Sequence, residues 1–163
     1  MKFEQIDSFK GDDSTGRYTS FLYVDHRSQR GHLLYVGTEL GPIYCFTISK
    51  TVPQNRQDEL NPAPNMGNHG SSVLCLLHSR HRLLYSCLTG SVADDGGFLF
   101  SGSSDRTIKV WRSSGSQRPL IQTLHGHSSQ VSALCDGSDG SIISCSVDGS
   151  LRVWAPQQVK FVS

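Results

Sequence analysis

Two stretches of the chain repeat one order of apolar and polar positions without a gap. The first runs Phe98-Leu99-Phe100-Ser101, then Gly102-Ser103-Ser104-Asp105, then Ile108-Lys109-Val110-Trp111. The second runs Ser141-Ile142-Ile143-Ser144, then Cys145-Ser146-Val147-Asp148, then Leu151-Arg152-Val153-Trp154. In each, a Ser stands four residues before the Asp and a Trp six residues after it, and Trp111 and Trp154 are 43 residues apart. An apolar run, a turn such as Asp148-Gly149 and an alternating return run together predict a β-hairpin. Alternation places Leu151 and Val153 on one face of the return strand, and Arg152 and Trp154 on the other.

A weaker copy lies upstream. His32 to Gly37 reads as a strand, Leu40-Gly41-Pro42 as a turn, and Ile43 to Phe46 as the return strand. Here Phe46 takes the Trp position, Leu40 that of the turn Asp, and Val36 that of the Ser. A leading strand is expected before each hairpin, over Ser20 to Val24, Ser72 to Leu77 and Gln130 to Cys135. Two further strand-like runs are Phe3 to Phe9 and Leu120 to Leu124. The apolar run Leu83 to Cys87 and the run Phe98 to Ser101 compete for one central position. Phe98 to Ser101 is the choice, because it reaches the Asp105 turn without a gap, and an insertion is expected near 87–101. Residues 50–66 are polar, hold Pro53, Pro62 and Pro64, and read as a long surface loop.

With Gly126-His127 ahead of a strand, then Ser144, Asp148 and Trp154, the last unit resembles one full repeat of the WD-repeat β-propeller family. The Asp that follows the family's Trp is Ala155 here and Arg112 in the repeat before. The resemblance is strong over 69–155 and weak over 1–50. It implies an all-β fold, a partial or incomplete propeller of about three four-stranded blades, with repeats at about 3–49, 67–112 and 120–155 in a single domain. It also implies a buried polar set in each of two blades: His127, Ser144, Asp148 and Trp154 in one, His69, Ser101, Asp105 and Trp111 in the other. The outermost strand of a blade comes from the neighbouring repeat in this family, so Phe3 to Phe9 would pair with the last blade.

Composition narrows the function classes. Of 163 residues, 36% are hydrophobic and 18% charged, so a folded core is expected rather than a disordered tail. A net charge of +1 supplies no field for nucleic acid, and none is expected as a partner. The longest apolar runs, such as Val73 to Leu77, are too short to span a bilayer, so no membrane role is expected. Glu4, Asp7 and Lys10 interrupt the N-terminal stretch, which argues against a signal peptide. Five Cys, an odd number, and the lack of any Asn-x-Ser/Thr site favour a reducing, intracellular setting, the cytoplasm first, with nucleus and cilium left open.

Candidate chemistry is sparse. His127 and His69 are repeat-borne and read as structural hydrogen-bonding residues. Cys75, His78 and His81 have loosely ligand-like spacing, but Cys75 falls in an inner strand and a tetrahedral zinc site needs four converging ligands, so no metal is expected. Gly11 to Arg17 lacks the Lys-Ser/Thr and helix of a phosphate loop, and its two Asp would repel phosphate. Asp94-Asp95 reads as a solvated turn. No Gly-x-Ser-x-Gly elbow occurs. No catalysis and no cofactor are therefore expected. The reading is a protein–protein interaction scaffold or adaptor, with Arg17, Tyr18, Arg106, Ser128, Gln130 and Ser150 as partner-binding candidates on loops. The alternative is a truncated or splice-variant piece of a larger WD-repeat protein, such as a substrate-recruiting subunit of a ubiquitin ligase. Three repeats fall short of the four to eight blades of a closed ring, so self-association or a longer parent propeller is expected.

Overall fold

The computed structural model describes residues 16–25, 32–48, 68–80, 97–113 and 118–156. They form ten strands in three antiparallel sheets, and no helix occurs among the described residues. The first sheet is β1 (Tyr18–Val24), β2 (His32–Thr38) and β3 (Ile43–Ile48), in that order. The second is β4 (Val73–Ser79), β5 (Phe98–Ser103), β6 (Ile108–Arg112) and β7 (Leu120–Leu124). The third is β8 (Val131–Asp136), β9 (Ile142–Ser146) and β10 (Leu151–Trp154). Four strands are thus present in the second blade, whereas the first and third show three among the described residues.

The inner strands stand side by side, β1 against β4 and β4 against β8, so the blades form an arc that does not close among the described residues. The competition for the centre of the second blade is resolved: Phe98–Ser103 lies between β4 and β6. Residues 98–101 of the span near 87–101 are therefore strand. Residues 87–96, the Leu83 to Cys87 run, Phe3 to Phe9 and the 50–66 loop lie outside the described residues.

The three hairpins turn in the same way. Thr38 N donates to Pro42 O, Ser103 N to Thr107 O and Ser146 N to Ser150 O, and a second bond closes each turn from Gly41, Arg106 and Gly149. Those last three residues have φ of +106°, +73° and +80°. A left-handed residue is thus required at one fixed place, and Gly supplies it without strain twice, Arg once.

Apolar alternation builds two cores, one in each gap between blades. Between the first and second blades lie Val24, Leu33, Tyr35, Ile43 and Cys45 against Val73, Leu99 and Trp111. Between the second and third lie Phe98, Phe100, Ile108 and Val110 against Val131 and Ile142. The backbones approach closely at a repeated point. A Cβ on Gly37 would meet Val73 Cβ at 2.8 Å, and one on Gly102 would meet Val131 Cγ1 at 2.7 Å. The same point carries a repeated cross-blade bond: Ser20 Oγ donates to Val73 O at 3.1 Å, and Cys75 Sγ to Val131 O at 3.8 Å.

Candidate functional site: two buried polar sets and a shared rim

The second and third blades each gather one Trp, Ser, His and Asp. Trp111 Nε1 donates to Ser101 Oγ at 2.8 Å, Ser101 lies 2.7 Å from His69 Nε2, and His69 Nδ1 lies 2.8 Å from Asp105 Oδ2. In the third blade Trp154 Nε1 donates to Ser144 Oγ at 2.8 Å, Ser144 lies 2.8 Å from His127 Nε2, and His127 Nδ1 lies 3.0 Å from Asp148 Oδ2. The structure brings together all eight residues that the repeat pattern had grouped.

The proton positions follow from the donor inventory. An ionised carboxylate only accepts, so Nδ1 of each ring carries a hydrogen toward its Asp. A neutral ring then accepts at Nε2 from the Ser hydroxyl, whose oxygen in turn accepts the indole N–H. Burial holds the His69 pKa below its ordinary value, against the pull of Asp105. Asp105 is opposed by its own burial, but the Thr107 hydroxyl and amide and the His69 ring outweigh this and bring its pKa down to about 2. Asp148 is held far below the usual carboxylate range by the Ser150 hydroxyl first, then by the Ser128 and Ser150 amides and His127, against its desolvation.

Each carboxylate is fully used. Asp105 accepts from His69, Gly70 N, Thr107 N and the Thr107 hydroxyl, the last at 2.6 Å. Asp148 accepts from His127, Ser128 N, Ser150 N and the Ser150 hydroxyl, again at 2.6 Å. Thr107 and Ser150 are thus fifth members that the four-residue pattern missed. The signal was available: a hydroxyl residue stands two positions after the Asp in both repeats. Ser150, expected as a loop residue facing partners, spends its hydroxyl inside the turn. The first blade has no such set, since Val36, Leu40 and Pro42 stand at the Ser, Asp and hydroxyl positions, and Val36 and Phe46 are buried there.

Ser–His–Asp connectivity is that of an acyl-transfer nucleophile. Here the geometry denies it that chemistry. Ser101 is 0% and Ser144 1% exposed, and each oxygen already receives an indole N–H, so neither hydroxyl can meet a substrate carbonyl. Among the described residues no group of three His, Cys, Asp or Glu side chains could hold a metal ion. Nor is any helix there long and apolar enough to cross a membrane.

The remaining candidates share one rim. Each inner strand begins where the next strand of its blade ends, so Arg17 lies beside the Gly41 turn, Ser72 beside the Arg106 turn and Gln130 beside the Gly149 turn: Glu39 N donates to Arg17 O, Ser104 N to Ser72 O and Val147 N to Gln130 O. Arg17, Tyr18, Arg106, Ser128 and Gln130 are all exposed. The Arg17 guanidinium reaches Glu39 at only 3.9 Å, and both side chains stand in solvent. The rim also displays two apolar residues that had drawn no attention, Leu40 (54% exposed) and Val147 (61% exposed). Their places at the hairpin tips, where polar residues are usual, were the readable signal.

The family model for the WD domain, G-beta repeat, matches residues 86–112 and 118–155. The chain belongs to the WD-repeat family, and its fold is an incomplete β-propeller. It is similar to protein lethal(2)denticleless of Drosophila melanogaster, 37% identical over 143 residues, covering 86% of this chain and 16% of that protein. It is similar also to methylosome protein WDR77 of Xenopus laevis, 36% identical over 74 residues, covering 44% of this chain and 22% of that protein. Among solved structures, the RRP9 WD40 repeats superpose with a TM-score of 0.60 at 20% identity, covering 89% of this chain and 36% of theirs, a likeness of fold. The chain thus spans less than a quarter of the length of these two curated relatives.

Proposed function

We propose that this chain is a non-catalytic protein-interaction module, and that the rim carrying the three hairpin turns is the surface it presents to partners. One observation carries the reading. Both Ser–His–Asp sets are consumed inside a blade, while the three hairpin turns and the strand leads beside them hold Arg17, Tyr18, Leu40, Arg106, Gln130 and Val147 outward. Tyr and Arg combine apolar area with hydrogen bonding and are enriched at the centres of interfaces. The near-neutral charge makes recognition local rather than steered from a distance. The His, Ser, Asp and Trp sets serve the fold: they tie the inner-strand lead to the hairpin turn and so fix the rim from beneath.

The test is charge reversal at Arg17 and Arg106 together, followed by a quantitative pull-down from cells. The expected result is loss of specific partners with an unchanged circular dichroism spectrum. An unchanged partner profile would refute the rim assignment.

A further inference from the structure

The second blade has a neighbour on each side, so its rim owes nothing to the ends of the arc. Its hairpin turn differs from the other two at one place. Arg106 holds a φ of +73° where Gly41 and Gly149 stand in the turns before and after it. A side chain at that place meets backbone strain that Gly escapes, and such outliers cluster where ligands are held. The turn does not use the side chain. Arg106 N closes the turn on Ser103 O, while the residue is exposed and forms no ion pair among the described residues.

The surroundings of Arg106 define what it can hold. The carboxylate beside it, Asp105, is turned inward onto His69, Gly70 and Thr107. Asp148 in the next turn is committed in the same way to His127, Ser128 and Ser150. Glu39 lies 3.9 Å from Arg17. Aliphatic tips flank Arg106 on both sides, Leu40 on the blade before it and Val147 on the blade after it. The first two tips are fixed to each other, since His69 N donates to Gly41 O at 3.2 Å and the His69 ring reaches Asp105 at 2.8 Å. The rim thus offers an unpaired cation between two apolar points. A guanidinium presents a planar fork of donors that matches a carboxylate. We propose that Arg106 anchors an acidic segment of a partner protein: an Asp or Glu of that segment sits on the guanidinium, and an aliphatic side chain of the same segment packs on Leu40 or Val147. Packed sheets stand about 10 Å apart, which is about three residues of extended chain at ~3.1 Å each, so the acid and the aliphatic residue are separated by about that number. The inference rests on the rim as the partner surface and names the class of ligand that surface takes.

The experiment is selection of a displayed library of random short peptides on the full chain and on the variants Arg106→Glu, Arg106→Gly and Leu40→Asp. The native chain is expected to enrich peptides with Asp or Glu about three residues from Leu, Ile or Val. Arg106→Glu should reject them and enrich Lys or Arg at the acidic position. Arg106→Gly should bind the enriched peptides about tenfold more weakly or worse, by fluorescence anisotropy, and melt at the native temperature or above because the strain is gone. Acidic peptides selected equally well by Arg106→Glu overturn the proposal. So does a lower melting temperature in Arg106→Gly, which would place the side chain in the fold. Enriched peptides without an acid that are lost in Leu40→Asp would overturn the acidic ligand and keep the rim as the partner surface. Peptides indifferent to every one of these substitutions would overturn both.

Discussion

At the scale of single residues, Ser101 and Ser144 decide how the polar sets behave. Each hydroxyl joins an indole donor to an imidazole acceptor, so removing it leaves two buried polar groups unpaired. Ser101→Ala is expected to cost about 1–3 kcal/mol, read as a lower denaturant midpoint at constant slope. A midpoint within error of the native value would contradict the assigned bonding. Acid should act in a fixed order. His69 has a folded pKa below 6.5, so the unfolded chain binds more protons; its contribution is complete above 6.5 and is lost as pH falls below that value. Asp105, lowered from 3.8 to about 2, contributes fully above 3.8 and loses that contribution as pH falls toward about 2. Stability should therefore drop from about pH 7 to pH 5, with a shallower slope in His69→Gln, and drop again below about pH 4. A chain that grows more stable between pH 7 and 5 would overturn the neutral-ring assignment.

At the scale of elements, the hairpins were readable because alternation and turn chemistry agree locally. Asp148-Gly149 names its turn, and Leu151 to Trp154 shows its two faces. The weaker hairpin was also readable, through Gly41, which takes the left-handed place that Gly149 and Arg106 take elsewhere. The grouping of Trp, Ser, His and Asp was legible only through the repeat, since no local rule brings His69 to Ser101 across 32 residues. Thr107 and Ser150 were missed because a hydroxyl in a turn reads as solvated, and only the carboxylate beside it reveals its task. Blade contact was equally hidden. Gly37 and Gly102 look like ordinary strand glycines, yet each makes room for a Val of the next blade. Gly102→Ala should push Val131 away and cost about 1–3 kcal/mol by overpacking. Cys145→Ala, at the same position on the uncovered blade, should cost much less; equal losses in the two variants would contradict the account of blade contact.

At the scale of the whole molecule, two kinds of surface are set apart. The end faces of the arc expose Phe21, Tyr23, Leu151 and Val153. The rim mixes Arg, Tyr and exposed aliphatic side chains, and its turns in the second and third blades are held from below by the Asp105 and Asp148 carboxylates. The separation has a direct consequence: stability and recognition should be lost through different residues. The most direct measurement is the bound fraction per folded molecule, taken with the melting temperature, for Ser144→Ala and for the double variant Arg17→Glu, Arg106→Glu. The account predicts that Ser144→Ala lowers the melting temperature and keeps binding per folded molecule, while the double variant keeps the melting temperature and loses binding. Loss of binding in Ser144→Ala at an unchanged melting temperature, with full binding by the double variant, would contradict it.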